Sequence, residues 1–280
     1  SDVYKRQDIQ IVKENKLGTL PVDKLLVKMA IPMVISMLVQ SIYNIVDSMF
    51  VSRVSEDALT AVSLAFPVQN ILIAFAVGIG VGSSALLSRF LGENNRDRVG
   101  SVAIHGVVIA TITYVIFAII GLLFTNSFAN AQGQNAQVTA YTKEYLYIVT
   151  IFSAGLFFQV LGEKLLQATS LTNYTMITQM SGAIINLILD PILIFGLFGF
   201  PRLEVKGAAI ATVVGQLGGA LIGFYFNKRK NTDIKFTSKR FNFHSDIVKQ
   251  IFWIGLPTIV MNTIGSIVVF ALNLILKKFG

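Results

Sequence analysis

Two aspartates lie inside long apolar runs of the sequence, where a charged group is expensive to place. Asp47 lies in the run 28–52, and Asp190 lies in the run 173–197. Each run is long enough to cross the roughly 30 Å hydrocarbon core of a membrane as a helix. A carboxylate near the centre of such a helix costs on the order of 2.5–3.5 kcal/mol on insertion scales, so it usually lines the path of an ion or a substrate.

Polar neighbours surround both aspartates at helical spacing. Tyr43 and Asn44 precede Asp47 by one helical turn, and Asn186 precedes Asp190 by one turn. Residues three or four apart share a helix face, so these side chains can reach the carboxylates. The pattern predicts a site that binds a proton or a sodium ion. The alternative is that each aspartate only forms structural hydrogen bonds between helices.

Two prolines lie inside the same runs. Pro32 is near the start of the first run, and Pro191 directly follows Asp190. Proline removes one backbone N–H from a helix, so Pro191 should loosen the helix and free the carbonyl of Leu187. Both prolines are candidate hinges, although proline is common and often static in membrane helices.

The composition indicates a membrane protein that crosses the bilayer several times. Of the 280 residues, 54% are apolar and only 14% are charged, whereas a soluble domain carries about 25% charged residues. The net charge is +8, but the basic residues lie in short loops beside apolar runs, which does not indicate nucleic-acid binding. No cysteine is present, which excludes disulfides and thiolate metal sites.

Seven apolar runs predict an all-α transmembrane bundle. Lys and Arg concentrate in segments 8–28, 89–98 and 228–249, which predicts a plasma (inner) membrane protein with these segments and the amino terminus in the cytoplasm. Residues 1–7 fit nothing downstream, and we interpret them either as foreign to the natural protein or as the mark of a broken gene start. The runs cover approximately 28–52, 58–90, 99–124, 139–166, 173–197, 205–227 and 250–279.

This orientation places the two aspartates at similar depth. Asp47 lies 19 residues after Lys28, and Asp190 lies 16 residues after Tyr174. Both runs travel outward, so at 1.5 Å per residue both carboxylates lie roughly 24–28 Å from the inner surface. We therefore expect them to share one cavity in the outer half of the membrane.

A weak internal repeat relates the first and last runs. The segment from Lys24 through Pro32 aligns with the segment from Lys249 through Pro257 at an offset of 225 residues. Both runs would enter from the inside, so the repeat is parallel. The sequence predicts a cytoplasmic segment 1–27, a six-helix lobe 28–227, a basic loop 228–249, and the first helix of a truncated second lobe at 250–280. The position equivalent to Asp47 is Leu272.

Several motifs together resemble the multidrug and toxic compound extrusion (MATE) family of secondary transporters. The resemblance runs from about residue 16 to the end, and the two motifs that contain aspartate are its most specific parts. One departure is Ala168-Thr169-Ser170, where many relatives carry a glycine. The matching stretches are 31–32, 43–47, 58–63, 91–95, 186–191 and 205–212.

The resemblance implies two six-helix lobes around a V-shaped cavity, with only the first lobe present. The positions that match Asp47, Asp190, Asn186 and Tyr43 would form a network that binds protons or sodium, and Thr212 is a looser match. The proline that matches Pro32 is associated with bending of the first helix.

Other motifs have less distinctive explanations. Gly78–Ser84 lies inside a membrane run, so close helix packing explains it better than a nucleotide loop does. His105 is interpreted as a packing or interfacial residue, and Glu163 and Lys164 as interfacial charges at the cytoplasmic end of the fourth run. The sequence shows no nucleophile–base pair, phosphate loop or cofactor motif, so we expect a transporter rather than an enzyme, with H⁺ or Na⁺ as coupling ion and no other metal or cofactor.

The sequence predicts a cation-coupled antiporter that exports organic cations and drugs, because the deep charges are negative. A lipid-linked oligosaccharide flippase of the same superfamily is the alternative, but it would require basic residues in its cavity, and no Lys or Arg lies deep in a run. A membrane-embedded enzyme or a sensory membrane domain is a further alternative. The expected partners are small organic cations, the lipid bilayer and the missing carboxyl-terminal lobe.

Overall fold

The protein is an α-helical bundle in a computed structural model that describes residues 21–234 and 243–276. The interpretation of residues 1–7, most of the predicted segment 1–27 and part of the loop 228–249 lie outside the described residues. The described part contains no strand, as predicted. Its elements are α1 (Val22–Ser52), α2 (Glu56–Gly92), α3 (Arg96–Gln132), α4 (Ala136–Ile151), α5 (Ala154–Ala168), α6 (Thr172–Phe195), a 3-10 turn (Leu197–Gly199), α7 (Glu204–Arg229) and α8 (Ser245–Leu276).

The helices agree with the seven apolar runs. Six of them are long and apolar enough to cross a membrane, and the pair α4–α5 provides a seventh crossing if it is one span. Side-chain caps mark three helix starts. Ser55, Asn95 and Asn135 accept hydrogen bonds from backbone N–H groups three residues later, at 3.0, 3.2 and 2.7 Å. Such caps fix where each span begins, because they satisfy donors that the helix itself leaves free.

The fourth span is bent by 48° between α4 and α5, which the sequence analysis did not predict. Hydroxyl groups compete for backbone carbonyls at the bend. The Thr150 hydroxyl donates to the Leu146 carbonyl at 2.6 Å, and the Ser153 hydroxyl donates to the Thr150 carbonyl at 2.8 Å. Hydrogen bonds of this kind often bend helices. The bend lets α4 and α5 line different parts of one cavity.

Small residues bring α8 against α2, which confirms the packing interpretation of the glycine-rich stretch. A methyl group on Gly82 would lie 2.1 Å from the Ile251 carbonyl oxygen, and one on Gly255 would lie 2.2 Å from the Gly78 carbonyl oxygen. The two backbones are therefore in direct contact. By contrast, α1 packs mainly on α6 and only slightly on α2. The two helices related by the sequence repeat thus contact different helices of the six-helix unit.

The missing glycine noted in the sequence has a structural consequence after α5. Ser170 adopts a left-handed backbone with φ of 62°, a conformation that costs a residue with a Cβ roughly 1–2 kcal/mol. Its hydroxyl oxygen is also buried without a hydrogen-bond partner among the described residues. Ser170 therefore carries local strain at the point where α5 turns into α6.

Replacing Ser170 with glycine is expected to stabilise the protein by about 1 kcal/mol, because glycine adopts this conformation freely. The measurement is the midpoint of thermal unfolding of the purified protein in detergent. Ala85→Gly is the matched control on an exposed position within α2, and it should lower the midpoint. An unchanged or lower midpoint in Ser170→Gly would show that the left-handed turn is not strained.

Candidate functional site

A cavity of about 400 Å³ opens between the spans. Its wall combines polar residues around Asp47 with polar residues around Glu163. They are named the outer and the inner group after the predicted orientation. Segments from α1, α2, the bent pair α4–α5, α6 and α7 all contribute. The polar lining residues are Gln40, Tyr43, Asn44, Asp47, Ser48, Gln69, Asn70, Tyr145, Gln159, Glu163, Lys164, Gln179, Asn186, Thr212 and Gln216.

The carboxyl groups of Asp47 and Asp190 are close enough to share a hydrogen bond, although of the two only Asp47 lines the cavity that the depth argument expected both to share. Asp190 is completely buried, whereas Asp47 is half-buried and lies on the cavity wall. Two carboxyl groups share a hydrogen bond only when one of them holds a proton. The Asp47 Oδ1 atom is buried and has no hydrogen-bond partner among the described residues. The pair therefore retains free capacity to bind a proton or a cation.

Asn186 fixes the position of Asp190 from the same helix. In the amide orientation that satisfies its neighbours, Asn186 Nδ2 donates to Asp190 Oδ2 at 3.0 Å and Oδ1 accepts from the Thr212 backbone N–H at 3.0 Å. Tyr43 lies beside Thr212 and close to both carboxyl groups. Gly215 makes this approach of α7 to α6 possible, since a methyl group there would lie 3.0 Å from the Asn186 Cβ. Five of the sequence-predicted residues thus converge on one spot.

The remaining predicted residues are less closely involved. Asn44 lines the cavity, but no hydrogen bond between described residues joins its side chain to Asp47. Pro32 and Pro191 lie within α1 and α6, which are assigned as helix without interruption. Their hinge roles stay predictions. His105 is buried, with Nδ1 2.8 Å from the Ser101 carbonyl oxygen and Nε2 accepting from the His244 backbone N–H at 2.9 Å, which agrees with a packing residue.

The sequence analysis missed Tyr145, which belongs to the outer polar group. Tyr145 is 2% exposed, and its hydroxyl accepts from Gln69 Nε2 at 3.0 Å. It lies near Asp47, Tyr43 and Thr212. The depth argument could have found it: Tyr145 lies about six residues inside the predicted fourth run, and Asp47 lies about five residues from the outer end of the first run.

The interpretation of Glu163 and Lys164 as interfacial charges is wrong. Glu163 is only 4% exposed, and both residues line the same cavity as Asp47. Gln159 Nε2 and Gln179 Nε2 donate to the two oxygens of the Glu163 carboxylate, at 3.0 and 2.9 Å. The error has a physical reason. Charges near the end of an apolar run usually reach water, but the bend at Ser153 turns this end of the span toward the cavity. The cavity wall therefore does carry one lysine, contrary to expectation.

Replacing Asn186 with leucine is expected to lower the free energy of unfolding by about 1–3 kcal/mol, because the buried Asp190 oxygen loses its donor. The measurement is the thermal midpoint in detergent. Asn70→Leu is the matched control, since Asn70 is an amide on the same cavity that makes no side-chain hydrogen bond within the described part of the chain. Equal midpoints for the two variants would show that Asn186 does not stabilise the carboxyl pair.

The chain is similar to membrane transporters over most of its length. It is 29% identical over 258 residues to the multidrug export protein MepA of Staphylococcus haemolyticus, covering 92% of this chain and 56% of the relative. It is 32% identical over 198 residues to the FAD transporter of Shewanella oneidensis, covering 70% of this chain and 44% of the relative.

A solved structure gives the same result for the fold. The structure of a MOP superfamily transporter from Pyrococcus furiosus superposes with a TM-score of 0.79 at 31% identity, covering 85% of this chain and 52% of that one. The chain thus spans about half the length of the relatives it matches. A model of the MatE family matches residues 32–192, which is more than half of the chain. The helical fold and this match show that the chain belongs to the MatE family of multi-pass membrane transporters.

Proposed function

We propose that this chain forms part of a cation-coupled antiporter that exports organic cations across the plasma membrane. The observation that carries the proposal is the carboxyl pair, of which Asp47 lies on the cavity wall. Multidrug export by the relative named MepA supports the same substrate class. A second six-helix unit, which the sequence repeat predicts, would complete the cavity.

The carboxyl pair supplies the chemistry for ion coupling. With one proton shared between Asp47 and Asp190, the pair carries one negative charge. Arrival of a second proton, or binding of a sodium ion beside the shared proton, neutralises that charge inside a poorly solvated site, where electrostatic interactions are strong. The Thr212 hydroxyl would add to the carboxylate oxygens to give an all-oxygen set of the kind that hard cations prefer, while Asn186, whose oxygen accepts from the Thr212 backbone N–H, would position Asp190.

The charges on the cavity wall favour cationic substrates. In the described part of the cavity the charged lining residues are two carboxylates, Asp47 and Glu163, and one ammonium group, that of Lys164. A flippase for a lipid-linked oligosaccharide, or a carrier of an anion such as the flavin dinucleotide of the Shewanella relative, would need to hold phosphate groups. One lysine beside two carboxylates is a poor match for that task.

The test is transport by the full-length gene product in proteoliposomes. Export of ethidium, a fluorescent organic cation, would be followed under an imposed proton gradient, an imposed sodium gradient, or no gradient. We expect one of the two ion gradients to drive ethidium transport. Transport that is independent of both gradients, or no transport of organic cations at all, would refute the proposal.

A further inference from the structure

Glu163 is a buried carboxylate that the ion site does not use. It lies on α5, 4% exposed, on the wall of the cavity. A carboxylate this deeply buried is normally paired with a cation. The ion pairs among the described residues join Arg89 to Glu93, Arg98 to Asp246 and Arg202 to Glu204, and none involves Glu163. Two glutamine amides hold its oxygens in place, and no cation in the described part of the chain lies within ion-pair distance of it.

The Glu163 carboxylate is well separated from the carboxyl pair. Gln179, which binds Glu163, and Asp190 both lie on α6, 11 residues apart. At 1.5 Å per residue this corresponds to roughly 16 Å along the helix. Both centres nevertheless face one cavity, because Asp47 and Glu163 line it together. One cation can therefore bind at each centre without displacing the other.

Lys164 is the nearest charge in sequence, and it is engaged elsewhere. Its ammonium donates to Gln167 Oε1 at 3.0 Å. Its aliphatic stem packs against Gly80, where an added methyl group would overlap the stem. Successive residues of a helix point about 100° apart, and Lys164 lines the same cavity without forming an ion pair with Glu163 in the described part of the chain. Its charge should weaken the binding of a cation at Glu163 by repulsion.

We propose that Glu163 binds the cationic group of the transported substrate, at a site separate from the coupling ion at Asp47 and Asp190. Gln159 and Gln179 orient the carboxylate, and the apolar wall between the two centres contacts the rest of the substrate. The cavity of about 400 Å³ suits a small organic molecule. This inference rests on the proposed function, because it assigns the exported organic cation to a specific carboxylate.

The test measures equilibrium binding of ethidium to the full-length gene product in nanodiscs, with Nile red as an uncharged probe of similar size. We expect Glu163→Gln to weaken ethidium binding at least about tenfold, equivalent to 1.4 kcal/mol, and Lys164→Gln to tighten it. Glu144→Gln is the matched control, an exposed glutamate on α4 outside the cavity. Nile red binding should not change in any of the three variants.

The opposite changes in ethidium affinity expected for Glu163→Gln and Lys164→Gln distinguish charge recognition by Glu163 from a structural role of this residue. If Glu163→Gln and Lys164→Gln both weaken ethidium binding, or if Nile red binding falls equally, Glu163 only supports the fold and the inference is overturned. Glu163→Asp keeps the charge, and ethidium binding should recover at least in part, even if Glu163→Gln folds poorly. If the wild type exports ethidium but Glu163→Gln binds ethidium with unchanged affinity, this inference is overturned while the proposed function stands. Absence of ethidium export by the wild type refutes the proposed function.

Discussion

Gradient-driven export of ethidium should fall to the level of protein-free liposomes when Asp47 is replaced with asparagine. Asparagine has nearly the same shape as aspartate but neither binds a proton nor balances the charge of a sodium ion at this position. The asparagine amide can still donate a hydrogen bond to Asp190, so this variant removes the ionisable group and keeps the contact. The measurement is the initial rate of export by the full-length gene product in proteoliposomes, under whichever ion gradient drives the wild type.

Two further variants make the Asp47 result specific. Asp97→Asn removes an exposed carboxylate in the first turn of α3, far in sequence from the cavity residues, and should leave export unchanged. Asp47→Glu keeps an ionisable group and should restore part of the activity. Full gradient-driven export by Asp47→Asn would show that Asp47 is structural, and that ion coupling belongs to Asp190 or to a part of the protein outside this chain.

The largest loss of stability is expected for Gly82→Leu. A side chain at this position would overlap the backbone carbonyl of Ile251, and backbone atoms cannot move aside as a flexible side chain can. Overpacking of this kind costs about 3 kcal/mol, and here it would also separate α8 from α2. The thermal midpoint of the purified protein in detergent, measured by size-exclusion chromatography after heating, reports the change.

Ala85 provides the matched control for Gly82. It lies three residues further along α2 with its side chain exposed, so Ala85→Leu should leave the midpoint nearly unchanged. Trp253 gives an independent signal, because it is the only tryptophan in the chain and lies on α8. Its emission should shift in Gly82→Leu and stay constant in Ala85→Leu. Equal midpoints for the two variants would contradict the direct backbone contact.

The positions of the helices were predictable because membrane insertion depends on local properties. Length and apolarity of a run determine whether it spans the bilayer, and the predicted runs agree with the helices to within a few residues except at the ends of α1, α3 and α8. The bend in the fourth span was not predictable in this way. Thr150 and Ser153 are ordinary residues of membrane helices, and hydroxyl-to-carbonyl bonds at the same spacing also occur in unbent helices, for example from Ser181 to Ile177, so the sequence does not distinguish this place as a bend.

The candidate site was predictable only in its outer half. Asp47 and Asp190 stand out because each lies in the interior of an apolar run, and their similar predicted depth indicated from the sequence alone that they share one region of the membrane. Glu163 lies near the end of its run and is followed by a lysine, which is the usual appearance of a pair of charges at the membrane surface. Its burial depends on the bend and on amides from α5 and α6, which are tertiary features.

The unequal burial of the two aspartates has a kinetic consequence. Asp190 is fully buried next to Asp47, and of the two residues only Asp47 lines the cavity. A proton that reaches Asp190 from the cavity must therefore pass through Asp47, and it must leave by the same route. Protons would therefore bind to and leave the pair in a fixed order, in which Asp47 exchanges directly with the cavity and Asp190 exchanges through Asp47. Asp47→Asn should slow proton exchange at the Asp190 carboxyl group, whereas Asp190→Asn should leave proton exchange at the Asp47 carboxyl group fast.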